Sequence, residues 1–162
     1  MELDNRHVVF PPGNKTILDL KDFELQKMYL RIPSEHLIKG RSFAMEAQWL
    51  HRAGDGELLM VALLFELGKR NVALATMFES AGSPNNNERK PLFRLQELLP
   101  RNSDYYRYNG SLTQPPCTEG VRWIVMKSTV IAARNQIEDL QKRLGDSNNR
   151  PPQPLNARVV MK

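Results

Sequence analysis

The sequence predicts one mostly β domain of the α+β class, because strand-like runs outnumber helical ones along its 162 residues. Two stretches, Leu25–Ile32 (LQKMYLRI) and Ser42–His51 (SFAMEAQWLH), can be set out with alternate residues on opposite faces, the period of two that a strand imposes. A third, Glu57–Leu67 (ELLMVALLFEL), is almost continuously apolar, as a strand covered on both faces must be. Helical signals are confined to short segments, so helices are expected only at the surface of a sheet.

Taken in order, His7–Phe10 and Thr16–Leu20 read as short strands that form a hairpin around the turn Pro11-Pro12-Gly13-Asn14. In Leu25–Ile32, alternation sends Lys27, Tyr29 and Arg31 to one face and Met28, Leu30 and Ile32 to the other. Pro33–His36 (PSEH) and a turn at Ile38-Lys39-Gly40 separate this strand from Ser42–His51. There Glu46, Gln48 and Leu50 share one face, and Ala47, Trp49 and His51 the other. The tight turn Gly54-Asp55-Gly56 feeds the core strand Glu57–Leu67. A short helix around Leu74–Glu79 gives way to the polar loop Ser83–Pro91, followed by a helical or extended stretch, Leu92–Leu99, that Pro100 closes. Tyr105–Met126 is read as a stiff, turn-rich loop running into a strand. Asn109-Gly110 supplies an easy turn, Pro115-Pro116 fixes the backbone, and Val121–Met126 is apolar and β-branched. Arg134–Leu144 is an amphipathic surface helix with Ile137, Leu140 and Leu144 on one face, and Gly145 stands where it should stop.

Composition bounds the function. With 41% hydrophobic and 25% charged residues, the chain suits one soluble globular domain, 1–162. The formal charge of +5 is spread over scattered Lys and Arg with no basic run interleaved with aromatics, so no nucleic-acid partner is expected. No apolar run reaches membrane-spanning length, and the opening MELDNRHVVF lacks the features of a signal peptide. The single cysteine, Cys117, cannot form an internal disulfide; either the compartment is reducing or the partner thiol lies outside these residues.

Three motifs carry a resemblance. Tyr108–Cys117 (YNGSLTQPPC) followed by Glu119–Trp123 (EGVRW), the PSEH segment, and Asn148–Arg158 (NNRPPQPLNAR) are similar to stretches of the α-class carbonic anhydrases. The likeness extends from about Asn5 to Val160, and the family's leading segment has no counterpart in it. It implies a twisted, mainly antiparallel central sheet with short peripheral helices, a final strand at Val159-Val160, and a cis Pro115–Pro116 bond.

The family holds zinc with three histidines, and the resemblance puts Tyr29, Arg31 and Gln48 at those positions. Phenol and amide are poor zinc ligands and guanidinium is none, so no metal and no cofactor are expected, as in the acatalytic carbonic anhydrase-related proteins. On this reading Glu35, Glu46, Leu112 and Thr113 form a vestigial pocket, with Glu35 accepting from Thr113 and Glu46 orienting the third ligand position. Leu50, Met60, Leu112 and Trp123 form its apolar wall. Arg31 is expected to substitute in part for the lost charge by pairing with Glu46 or another nearby carboxylate or, if it stays free, to be a contact for a small anion. His7, at the family's proton-shuttle segment, His36 and His51 share no ligand spacing. The function expected is that of a pseudoenzyme, a binding or structural subunit with a protein partner in a larger assembly. The alternative is a working zinc carbonate dehydratase with a non-standard metal site. The likeness of Cys117 to a disulfide cysteine of secreted members implies a periplasmic or extracellular location, with the cytoplasm left open.

Overall fold

The computed structural model describes residues 2–4, 7–9, 14–82, 95–145 and 147–162. Among the described residues, nine strands form one sheet: β1 (Glu2–Asp4), β2 (His7–Val9), β3 (Lys15–Leu18), β4 (Lys21–Arg31), β5 (Met45–Ala53), β6 (Leu58–Leu67), β7 (Tyr105–Ser111), β8 (Glu119–Met126) and β9 (Val130–Ala132). Their order is β1-β2-β4-β5-β6-β8-β7, with β3 beside β4 and β9 beside β6. All pairings are antiparallel except β6 with β8 and β6 with β9. Two helices, α1 (Val72–Gly82) and α2 (Arg134–Leu144), lie at the periphery.

The predicted mostly β class and the core strand are observed, and β6 shows why its sequence is apolar throughout. Leu59, Leu63 and Phe65 enter one buried cluster while Met60, Ala62 and Leu64 enter another, so both faces of the sheet are covered at this strand. Each large apolar side chain so buried contributes about 1.5–3 kcal/mol. The same alternation sorts β8, with Ile124 and Met126 in the first cluster and Val121, Trp123 and Val125 in the second.

Helix α2 buries Ile137 and Leu140 and ends at Gly145, whose φ of 85° is the left-handed backbone that favours glycine. Gln136 ties it to α1: its carboxamide oxygen accepts from the backbone of Asn71 and Ala133, and its amino group donates to the carbonyl of Asn71. Asn71 in turn caps α1 by accepting from Leu74 N at 2.9 Å.

Several expectations are corrected. β2 and β3 do not pair with each other; each pairs with β4. The hairpin is β3–β4, closed by Asp19 and Leu20, both at positive φ. Those residues carry no glycine signal, but the Asp19 carboxylate is held by Arg107 and Arg122 at 2.7 and 3.0 Å, a tertiary anchor for the turn. The middle of the proposed turn, Pro11-Pro12-Gly13, lies outside the described residues, as does the loop 83–91. Asn109-Gly110 is not a turn but part of β7, with a register shift at Gly110/Ser111. A Cβ at residue 110 would sit 2.8 Å from the Tyr108 ring and 3.2 Å from Trp123, so close packing rather than positive φ requires this glycine. The strand read as Ser42–His51 begins at Met45. Of the stretch 92–99, only a 3-10 turn at Leu95–Glu97 is described as helical. The final strand expected at Val159-Val160 reduces to one bridge, Met161 with Arg107. The Pro115–Pro116 bond is cis, as is Ile32–Pro33.

Candidate functional site

Register builds the site. β4 and β5 place Tyr29 opposite Gln48 and Arg31 opposite Glu46, so four polar side chains stand on one face of the sheet. The apolar cluster on that face contains Met60, Val121 and Trp123, with Tyr29, Leu50 and Leu112 packed against it. The expected wall of Leu50, Met60, Leu112 and Trp123 is therefore assembled, and Trp123 donates its indole N–H to the Ser111 carbonyl at 3.0 Å.

Two carboxylates organise the polar part. Glu46, with no exposed surface, accepts four hydrogen bonds: from the backbone N–H groups of Glu35 and His36 at 2.9 Å each, from His36 Nδ1 at 2.7 Å, and from Gln48 Nε2 at 2.8 Å. Glu35 accepts from Gln48 Nε2 at 2.7 Å and from the Arg150 backbone N–H at 2.8 Å. Because its amino group bridges both carboxylates, the Gln48 amide has a fixed orientation, and its Oε1 is buried without a hydrogen bond among the described residues.

Arg31 is 3% exposed and does not pair with Glu46, although the two are directly opposite in register. Its Nε lies 3.2 Å from Glu35 Oε1, close enough for an ion pair but too far off line for a hydrogen bond. Nη1 donates to the Asn148 carbonyl at 3.2 Å and Nη2 to Thr113 Oγ1 at 3.4 Å. The guanidinium also lies 5.3 Å from the Tyr29 ring centroid. The four lone-pair directions of Glu46 are already taken, which is why the other nearby carboxylate, Glu35, receives the arginine. The bond expected from Thr113 to Glu35 is replaced by one from Arg31 to Thr113.

His36 links Glu46 to the outer strands. Its Nδ1–H donates to the carboxylate, which can only accept, and neutral Nε2 then accepts from the Tyr108 hydroxyl at 2.8 Å. Burial pushes the imidazole pKa down, but the adjacent Glu46 carboxylate more than offsets this and holds it above the ordinary value. Burial likewise pushes Glu46 up, and His36 with the other donors brings it below the ordinary carboxylate value. The Tyr108 phenol is raised, chiefly by burial. His51 lies apart on the other face, donating to the Trp49 carbonyl and bonded to Thr16, with burial lowering its pKa to about 4. His7 is opposite Tyr29 in register, and its side chain is outside the described residues.

Zinc does not fit Tyr29, Arg31 and Gln48. The phenol of Tyr29 is kept protonated by burial, Arg31 offers no lone pair and adds a positive charge, and Gln48 contributes at most one amide oxygen. Among the described residues no group of three His, Cys, Asp or Glu side chains could hold a metal. Asn148, Arg150 and Tyr108 were not legible as site residues from sequence. Asn148 binds the backbone on both sides of Arg31, donating to the Leu30 carbonyl at 2.8 Å and accepting from Ile32 N at 3.0 Å.

The chain matches the eukaryotic-type carbonic anhydrase family over residues 20–162. It is 38% identical to a carbonic anhydrase of Pectobacterium carotovorum, covering 98% of this chain and 67% of that protein. It is 39% identical to a carbonic anhydrase of Neisseria gonorrhoeae, covering 98% of this chain and 65% of that protein. It therefore spans about two thirds of the length of these relatives. Among solved structures, the α-carbonic anhydrase of Thermovibrio ammonificans in complex with the inhibitor sulfanilamide is 39% identical and superposes with a TM-score of 0.88 over 99% of this chain and 73% of that one. These relatives bear the name of an enzyme, which overturns the expectation of a pseudoenzyme serving as an inactive binding or structural subunit. The expectation that the protein uses no cofactor, its zinc site lost, falls with it, because carbonic anhydrases are zinc enzymes.

Proposed function

Because this chain belongs to the eukaryotic-type carbonic anhydrase family, we propose that it acts on the carbon dioxide–bicarbonate couple, adding water to carbon dioxide to give bicarbonate and a proton. The observation that carries this reading is 38% identity over 98% of this chain to a protein named carbonic anhydrase, with a sheet that superposes on that of a solved α-carbonic anhydrase.

The residues in place suit the two carbon species. Carbon dioxide is linear and apolar, and the wall of Leu50, Met60, Leu112 and Trp123 offers it an apolar surface beside Thr113. Bicarbonate is an anion. Thr113 Oγ1 accepts from Arg31, which leaves the threonine hydrogen to donate to a bicarbonate oxygen, while the nearby guanidinium favours negative charge. The small anion assigned to Arg31 is, on this proposal, bicarbonate. Tyr29, Arg31 and Gln48 do not fit zinc, so no step of this reading is routed through a metal at that position.

The test is stopped-flow hydration of carbon dioxide by the purified natural protein, with metal content measured on the same sample. Hydration above the buffer rate, lost on chelation and restored by zinc, is the expected result. A folded protein that hydrates no faster than buffer with zinc supplied would overturn the proposal.

We also place the protein in the periplasm or outside the cell. The likeness of Cys117 to a disulfide cysteine supports this, and recovery with cytoplasmic markers on fractionation would contradict it.

A further inference from the structure

A concavity opens on the side of β7 and β8 toward the C-terminal segment, with a volume of about 700 Å³. It borders the first site at Glu35, Thr113 and Trp123, but Tyr29, Arg31, Gln48, Leu50, Met60 and Leu112 do not line it. Its aromatic lining is ordered: Tyr108 and Trp123 are stacked, with centroids 5.9 Å apart and planes 8° from parallel, and His36 meets Trp123 edge-on at 4.9 Å. The Tyr108 hydroxyl is bound to His36, which fixes the ring.

Around these rings the lining carries four cationic side chains, Lys39, Arg150, Arg158 and Lys162, against two carboxylates, Glu35 and Glu119. Glu35 is already committed to Arg31, Gln48 and the Arg150 backbone. Glu119 is exposed and 3.7 Å from Arg158. Arg150 extends along this wall, where one guanidinium nitrogen donates to Ser111 Oγ at 3.3 Å. That single bond leaves most of a planar donor fork for a ligand oxygen pair. Trp123 is buried behind Tyr108, so the half-buried Tyr108 ring on one side and fixed positive charge on the other select one kind of guest.

We propose that this cavity binds a small planar arene carboxylate, its ring against the half-buried Tyr108 and its carboxylate on Arg150. A volume of this size suits a drug-sized molecule. The cavity adjoins the proposed carbon dioxide site through Thr113 and Trp123, but its occupant is read by binding alone and stands whether or not that chemistry occurs.

The test titrates the full natural chain with 1-naphthoate, read by calorimetry, alongside the neutral analogue 1-naphthalenemethanol. Saturable binding of one naphthoate per chain is expected, with the alcohol and the Arg150→Met variant each weaker by about tenfold or more, as loss of a charge-assisted pair implies. Melting temperatures of wild type and variant establish that the fold is intact. If Arg150→Met does not fold, the alcohol and Arg158→Met decide, the latter leaving the Arg150 contact in place and weakening naphthoate by less than the alcohol does. No saturable binding at 10 mM naphthoate (on the order of the weakest affinities of interest), or equal binding of acid and alcohol, would overturn the proposal.

Discussion

Glu46→Gln tests how the polar part of the site is held together. The substitution preserves shape and removes one negative charge, but Glu46 serves four donors: two backbone N–H groups, His36 Nδ1 and Gln48 Nε2. A glutamine presents one oxygen and one amino group, so in either orientation two donors face an amino group. Each hydrogen bond to a charged acceptor is worth about 1.5–3 kcal/mol, and breaking a buried ion pair costs about 3–5 kcal/mol. A loss of about 4 kcal/mol is expected, which lowers the urea midpoint by about 2 M if m is about 2 kcal/mol/M. Glu138→Gln, on the exposed face of α2, makes the same charge change and should stay within about 0.5 kcal/mol of wild type. The pH dependence follows from the two shifts. Glu46 is lowered from 4.5, so its stabilisation is present above that value and lost as pH falls through the folded pKa. His36 is raised from 6.5, so its stabilisation is present below that value and lost as pH rises through its folded pKa. The gap between wild type and Glu46→Gln should be widest between the two, and pH 6 is the condition to use. Urea curves for Glu46→Gln and Glu138→Gln that agree within about 1 kcal/mol at pH 6 would refute the reasoning.

Three further outcomes are expected. His51 titrates at about 4 in the fold and near 6.5 when unfolded, so the unfolded chain binds its proton first and stability falls as pH drops. By pH 4.5 this amounts to about 2–3 kcal/mol, and His51→Gln should flatten that part of the profile; parallel curves for the two proteins would count against it. Gly110→Ala places a methyl group against Tyr108 and Trp123 and should cost about 1–3 kcal/mol with altered tryptophan fluorescence, whereas an unchanged melting temperature would show that the rings yield freely. Arg31→Met strips Glu35 of its ion-pair partner inside the protein and should cost about 3–5 kcal/mol by urea titration; wild-type stability would show that Gln48 and the Arg150 backbone suffice.

The strand faces of β4, β5, β6 and β8 and the end of α2 at Gly145 are written in the amino-acid order, because burial imposes a period of two or a stop signal on neighbouring residues. That order also brings Glu46, Arg31, Gln48 and the adjoining Glu35 close to one another, since alternation on adjacent strands puts the first three on one face. Which of them bond is settled only in the packed chain. Arg31 takes Glu35 because Glu46 is saturated by donors from Glu35, His36 and Gln48, and it takes Asn148, which is 117 positions away in the chain. The same holds for β7, where Asn109-Gly110 looks like a turn by local propensity but lies in a strand that β8 and the ring of Trp123 hold extended. Local patterns record whether a residue is buried and on which side. The partner of a buried charge is set by which acceptors the assembled fold leaves free, and no short stretch of the chain carries that information.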